Sequence, residues 1–444
     1  MDRRTSVAAL LPPPVAEGLG ARVRELRRAR GLTQGTLAGR RFTKEYLSQI
    51  ECGRTRPTPE TVAWLATQLG VDPLYLESGV SSIEYAETRD AIVQAEDAIA
   101  GKDYSRAISL LGDLRPLPDA PDLDLRRILA ESWARMYLGE LRHAVELLEQ
   151  ARALAEQPSF GDVERAEVLY RLGCCRYKLS SVSTALALFS DALALAERAE
   201  EPCDRLRAHV LEWRSRCYRR QRDWEAARED IECALELADG LADDETVAHV
   251  EFQASLVAER TGSWIRARSH AERAKRLYER FDDRVNVARL LNNLGGLTFL
   301  LGDADGAVAK LEESFRLALD AGSDADAAQA VSSLAQVRLR TGDAATAERH
   351  AREALALLEG RDDYLDEIGN AQLVLGRALL DQDRLDEAET VFVTAGESMA
   401  QLSSASHRAS VWTAQGDLAL RRGDDRAAGV LFRRAAEALQ ELCF

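Results

Sequence analysis

From residue 107 to residue 428 an alanine returns at an almost constant interval, at Ala107, Ala144, Ala185, Ala227, Ala267, Ala307, Ala347, Ala388 and Ala428, with spacings of 37, 41, 42, 40, 40, 40, 41 and 40. Twelve residues before each lies a small residue: Ala95, Ser132, Gly173, Ser215, Ser255, Gly295, Ala335, Gly376 and Gly416. Seven residues after, a small residue recurs in eight of the nine cases. A period of this length marks a stacked array, because one unit cannot bury its apolar face alone. A turn with Gly or Asp precedes eight of the nine alanines, and Ala, Leu, Arg and Glu dominate the chain, which favours helix over strand. Each unit is therefore expected to be a pair of helices that cross where both carry small side chains.

Segments such as LYRLGCCRY with ALALFSDAL, and LLNNLGG with LLGDADGAV, resemble tetratricopeptide repeats. The period exceeds the usual 34 of that repeat, and no proline follows Pro202, so the helices should be longer than usual. The resemblance implies nine repeats in a right-handed superhelix whose inner wall is formed by the first helix of each pair. Carried onto this chain, the groove positions of the repeat are Trp133, Tyr170, Tyr177, Arg216, Arg219, Phe252, Arg289, Asn292, Gln329, Gln336, Asn370 and Arg377. Asn side chains can clamp an extended peptide through its backbone amides, and arginines can hold carboxylates. Asn293 fits a position where the repeat commonly carries Asn for its own packing.

Ahead of the array, residues 18–80 read as five short helices. Leu19 to Ala29 forms the first, ended by Gly31; Val23 and Leu26 share one face, with Arg22, Arg24, Arg27, Arg28 and Arg30 around them. Thr33 and Thr43 are placed to cap helices two and three, Thr58 with Pro59 to start the fourth, and Asp72 with Pro73 the fifth. Leu47 and Ile50 point inward in helix three. The motifs GLTQ, LSQIE and RPTPET resemble the phage-repressor (XRE/Cro-type, lambda-repressor-like) helix-turn-helix family. Two features depart from it: the turn Gly39-Arg40-Arg41-Phe42 is one residue short, and Cys52 stands where a polar residue is usual. The resemblance implies that the start of helix three enters the major groove. Lys44, Glu45, Ser48 and Gln49, after the cap Thr43, would face base edges, and Tyr46 a thymine methyl or a phosphate. Gln34 would clamp a phosphate, and Arg40, Arg41, Arg54 and Arg56 would neutralise others. Glu51 is expected to brace the domain internally.

Charge is divided in the same way. The chain carries −16, but residues 1–80 hold 12 Lys and Arg against 8 Asp and Glu, leaving −20 for residues 81–444. A basic head on an acidic body suits a DNA reader with an effector region that does not bind DNA. Residues 1–17, MDRRTSVAALLPPPVAE, read as a disordered arm, and no apolar run approaches the length of a membrane span. Seven cysteines lack zinc spacing and are expected as free thiols in a cytoplasmic, nucleoid-associated protein, with the vicinal pair Cys174–Cys175 the one candidate redox switch. The six histidines are scattered over separate repeats, and no GxxxxGK[ST], HExxH or GxSxG occurs. The expectation is an all-α protein with no enzyme activity, cofactor or metal.

Head and array together resemble the RRNPP class of bacterial regulators. That resemblance implies a homodimeric transcription regulator that binds a double-stranded DNA operator and senses a signalling peptide or protein in its groove. Two other readings stay open: a regulator whose repeats bind a signalling protein, and a constitutive repressor whose repeats serve only dimerisation.

Overall fold

The computed structural model describes residues 18–115, 120–361, 364–400 and 405–440; the arm expected over residues 1–17 lies outside them, as does Cys443. Among the described residues all regular structure is helical. The head comprises α1 (Leu19–Ala29), α2 (Gln34–Ala38), α3 (Lys44–Glu51), α4 (Pro59–Leu69) and α5 (Pro73–Ser78). The caps fall where local chemistry places them. Thr33, Thr43 and Thr58 accept hydrogen bonds from the amides of Thr36, Tyr46 and Thr61, and Asp72 accepts from that of Leu74. Gly31, Gly53, Gly70 and Gly79 follow four of the helices with positive φ. Val23, Leu37, Leu47, Ile50, Leu65, Leu69 and Leu76 form one core.

Among the described residues nine helix pairs follow: α6 (Ser82–Ala100) with α7 (Tyr104–Gly112), α8 (Pro121–Tyr137) with α9 (Leu141–Ala155), and α10 (Asp162–Lys178) with α11 (Val182–Arg198). Then come α12 (Asp204–Gln221) with α13 (Trp224–Asp239), α14 (Asp244–Arg260) with α15 (Trp264–Arg280), and α16 (Arg284–Leu300) with α17 (Ala304–Asp320). The last are α18 (Asp324–Arg340) with α19 (Ala344–Leu357), α20 (Leu365–Asp381) with α21 (Leu385–Ala400), and α22 (Ala405–Arg421) with α23 (Asp425–Gln440). Most of these helices run 16 or 17 residues, which accounts for the long period.

The recurring alanine sits in the second helix of every pair and is buried each time. Each glycine at the small position of a first helix faces a large side chain of the second. Opposite Gly173, Gly376 and Gly416 stand the rings of Phe189, Phe392 and Phe432, and opposite Gly295 stands Leu311. A Cβ at Gly376 would lie 2.3 Å from Phe392 Cε1. Where the first helix carries Ala335 or Ser255, the corresponding residue is Ala351 or Ala271. At the glycine crossings the space left by the missing Cβ is filled by the facing ring or leucine, the condition for close packing.

The contacts divide the chain into two compact units, Met1–Glu200 and Glu201–Phe444. The head shares the first unit with α6 to α11. Its junction with them is tight: Val80 is buried, Ser81 caps α6, and the Asp72 carboxylate that caps α5 also accepts from the Ser82 amide.

Candidate functional site

The recognition element is α3, and its position is set by one buried carboxylate. Glu51, 4% exposed, receives both Arg27 Nε (2.6 Å) and Arg27 Nη2 (2.9 Å) from α1, and Gln34 Nε2 (2.9 Å) from α2. Arg27 also donates to the Leu32 carbonyl. Burial alone would raise the Glu51 carboxyl, but the bonds from Arg27 and Gln34 and the charges of Arg27 and Arg24 outweigh it and hold it below the ordinary range. Three helices therefore converge on a single bidentate, charge-assisted hub. Gly20 completes the frame: α1 lies so close to α3 that a Cβ there would sit 2.2 Å from the Ile50 carbonyl oxygen.

This geometry corrects the reading of α1 as a ring of surface arginines. Arg22 and Arg27 are buried, at 5% and 8% exposure. Arg22 donates through Nε to the Leu76 carbonyl at 3.1 Å and through Nη2 to that of Glu77, fastening α1 to the end of α5. Both guanidiniums serve the fold, so the basic character of the face rests on Arg40, Arg41, Lys44, Arg54 and Arg56, all exposed.

With Leu47 and Ile50 buried, the outer side of α3 presents Lys44, Glu45 and Gln49 to solvent, with Ser48 half-buried beside them and Thr43 exposed at the cap. Gln49 Oε1 accepts from the Thr55 hydroxyl, which orients its amide. Tyr46 is half-buried against Phe42, ring centroids 5.5 Å apart, so its ring is partly committed to the core. The Arg41 guanidinium lies 5.8 Å from both the Phe42 and Trp64 ring centroids. Gln34 is half-buried and held by Glu51.

The twelve groove positions separate by environment. In the first unit Tyr170 is 6% exposed, between the rings of Trp133 and Phe189, which removes it from any open wall; Trp133 and Tyr177 are half-buried. In the second unit Phe252 is partly buried against the core around Leu291 and Leu294. Arg216 pairs with buried Glu212 and lies 4.4 Å over the Trp213 ring, while Arg219 donates to Gln253 at 2.6 Å. Arg289 is exposed and paired with Asp326 at 2.8 Å, and Asn370, also exposed, donates to Asp366. Gln329 and Gln336 are exposed, and Arg377 is half-buried. The Asn292 Oδ1 is covered yet accepts no hydrogen bond from the described residues. Asn293 donates to Glu259 and accepts from Ser255, joining α16 to α14.

Cys174 and Cys175 are both buried, and burial pushes the Cys175 thiol up to about 11, which removes the thiolate a redox switch needs. No group of metal-ligating side chains occurs among the described residues, and no helix among them is long and apolar enough to cross a membrane.

Two family models match: a helix-turn-helix domain over residues 18–77 and a tetratricopeptide repeat over residues 286–360. No curated protein matches in sequence. Solved structures share the fold at low identity. The apo form of the quorum sensor NprR from B. thuringiensis is 14% identical over 85% of this chain and 98% of that one, with a TM-score of 0.58. The apo form of RapI is 12% identical over 80% and 98%, also at 0.58. A Rap protein complexed with competence and sporulation factor is 16% identical over 81% and 99%, at 0.55.

Proposed function

Because this chain joins an N-terminal helix-turn-helix domain to C-terminal tetratricopeptide repeats, we propose that it is a transcription regulator, with residues 18–80 as DNA reader and residues 81–444 as sensing and dimerising body. The observation that carries the reading is the exposed outer side of α3, rimmed by Arg40, Arg41, Arg54 and Arg56 and locked in place through Glu51. Lys44 can donate to guanine O6 and N7, Gln49 can pair with adenine, and Glu45 can accept from cytosine N4. The rim arginines neutralise phosphates, and Gln34 serves the phosphate contact from the start of α2. Genome-wide binding of the purified protein would supply the operator. On it, Lys44→Ala or Gln49→Ala should cost about 1–3 kcal/mol and relax specificity at one position, while Arg40→Ala and Arg54→Ala should each lower the salt slope by about 1. Anisotropy titrations across a salt series measure both; four variants indistinguishable from wild type would remove α3 as the reading element.

The body's input is a peptide or protein segment with acidic groups, held by Arg289, Asn292 and Asn370 in the second unit. The support is the unsatisfied Asn292 Oδ1 and the exposure of the other two side chains. Ligand binding need favour one body conformation by only about 1–3 kcal/mol to regulate the heads. Operator titrations of Arg289→Ala, Asn292→Ala and Asn370→Ala, with and without cell extract, should show a weakened response to the extract. Three wild-type responses would rule this wall out.

A further inference from the structure

Two neighbouring outer helices of the second unit carry opposite charge. Helix α13 has six acidic residues and one basic, whereas α15 has six basic and two acidic. Glu225, Glu229, Glu232, Glu236 and Asp239 are exposed on the first, and Arg266, Arg268, Arg273, Arg276 and Arg280 on the second. Glu229, Glu236, Arg266 and Arg276 have no ion-pair partner among the described residues; several of the others already pair within the chain. An exposed ion pair bridges them, Arg273 Nη2 donating to Asp239 at 3.1 Å. As second helices of successive pairs they run in the same direction, and the 40-residue period places Glu236 and Arg276 at equivalent positions. At the head of α15, Trp264 is 40% and Ile265 71% exposed; Trp224 holds the matching place on α13 and is half-buried.

We propose that this face docks onto the same face of a second copy, about a two-fold axis parallel to the helices and running between α13 and α15. That operation sets each α15 against the partner copy's α13, with Arg276 facing Glu236 twice and Trp264 meeting Trp224 at one end. The contact is isologous, so it closes at two copies. A nucleic-acid occupant fits less well. A duplex laid along α15 would bring its phosphates against the acidic ridge of α13 beside it. Specific interfaces begin at about 1,000 Å² in total, so a contact made by only two helices of each copy should be weak and its assembly open to regulation. The proposal rests on the reading that two heads act together, but its test does not use DNA.

Sedimentation of the full-length chain over a concentration series should show dimers. Arg276→Glu and Glu236→Arg should each weaken association about tenfold or more by placing like charges opposite one another. An equimolar mixture of the two variants should recover it, because every crossing contact in the mixed dimer is again of opposite sign. Circular dichroism checks that both variants fold. Monomers throughout, unchanged association in both variants, or no recovery in the mixture would each overturn the surface. Unchanged association with weaker DNA binding would also overturn it and assign α15 to nucleic acid. Loss of operator binding alone, with the charge-swap pattern intact, would count against the regulatory reading and not against this contact.

Discussion

Glu51→Ala should unfold the head while leaving the repeats folded. The substitution removes the partner of an almost fully buried guanidinium, and breaking a buried pair from one side costs about 3–5 kcal/mol. Gln34 loses its acceptor at the same time. A domain of about 60 residues has little stability in reserve, so most of it would be spent. Hydrogen exchange resolved by segment should show α1 to α5 losing protection, with operator binding lost in parallel; protection equal to wild type would refute the hub. The same group sets an acid limit. A carboxyl held below its ordinary value contributes fully above the unfolded-chain value of about 4.3, and that contribution is lost as pH falls on through the folded value. Head protection should therefore decay on acidification below about pH 4.3, and Glu51→Gln should flatten that decay.

Phe392→Ala should be the most damaging single truncation in the second unit. Its ring is fully buried, fills the space above Gly376 and belongs to the cluster with Leu375, Leu379 and Met399, so its removal should cost about 3–5 kcal/mol. Gly376→Ala should cost about 1–3 kcal/mol by overpacking against the same ring. Combining Gly376→Ala with Phe392→Leu should recover part of the loss, because the volume across the crossing is restored. Denaturant unfolding of Gly376→Ala, Phe392→Leu and the double variant measures the coupling. Strict additivity would mean that the glycine and the ring do not share the space.

Much of this was legible beforehand because it is local. Thr33, Thr43, Thr58 and Asp72 cap helices through amides two or three residues away, so the sequence alone places them. The alanine period located the second helix of all nine pairs, since close crossing needs a small side chain at a fixed register. What escaped is what depends on distant partners. Arg22 and Arg27 read as surface charge because their acceptors, the carbonyls of 76 and 77 and the Glu51 carboxylate, lie 24 to 55 residues on. Tyr170 sits at a groove position of the repeat, but Trp133 and Phe189 close over it. The pairing of glycine with a ring four residues past the alanine was readable at Gly173, Gly376 and Gly416, and becomes obvious only when the two helices are laid together. Gly20 gives no signal at all without the carbonyl of Ile50 beside it.

The Asp72 carboxylate belongs to two helices at once, capping the start of α5 and receiving the first amide of α6, while Val80 is buried with Ile92, Ala95 and Leu111 of the repeats. For anyone transplanting this DNA reader onto another scaffold, the seam is therefore not the glycine at 79. A cut there leaves the Asp72 carboxylate without the Ser82 amide it receives and strips α6 of that acceptor. The portable module runs through Ser82 and into the first turns of α6, and a graft should carry them.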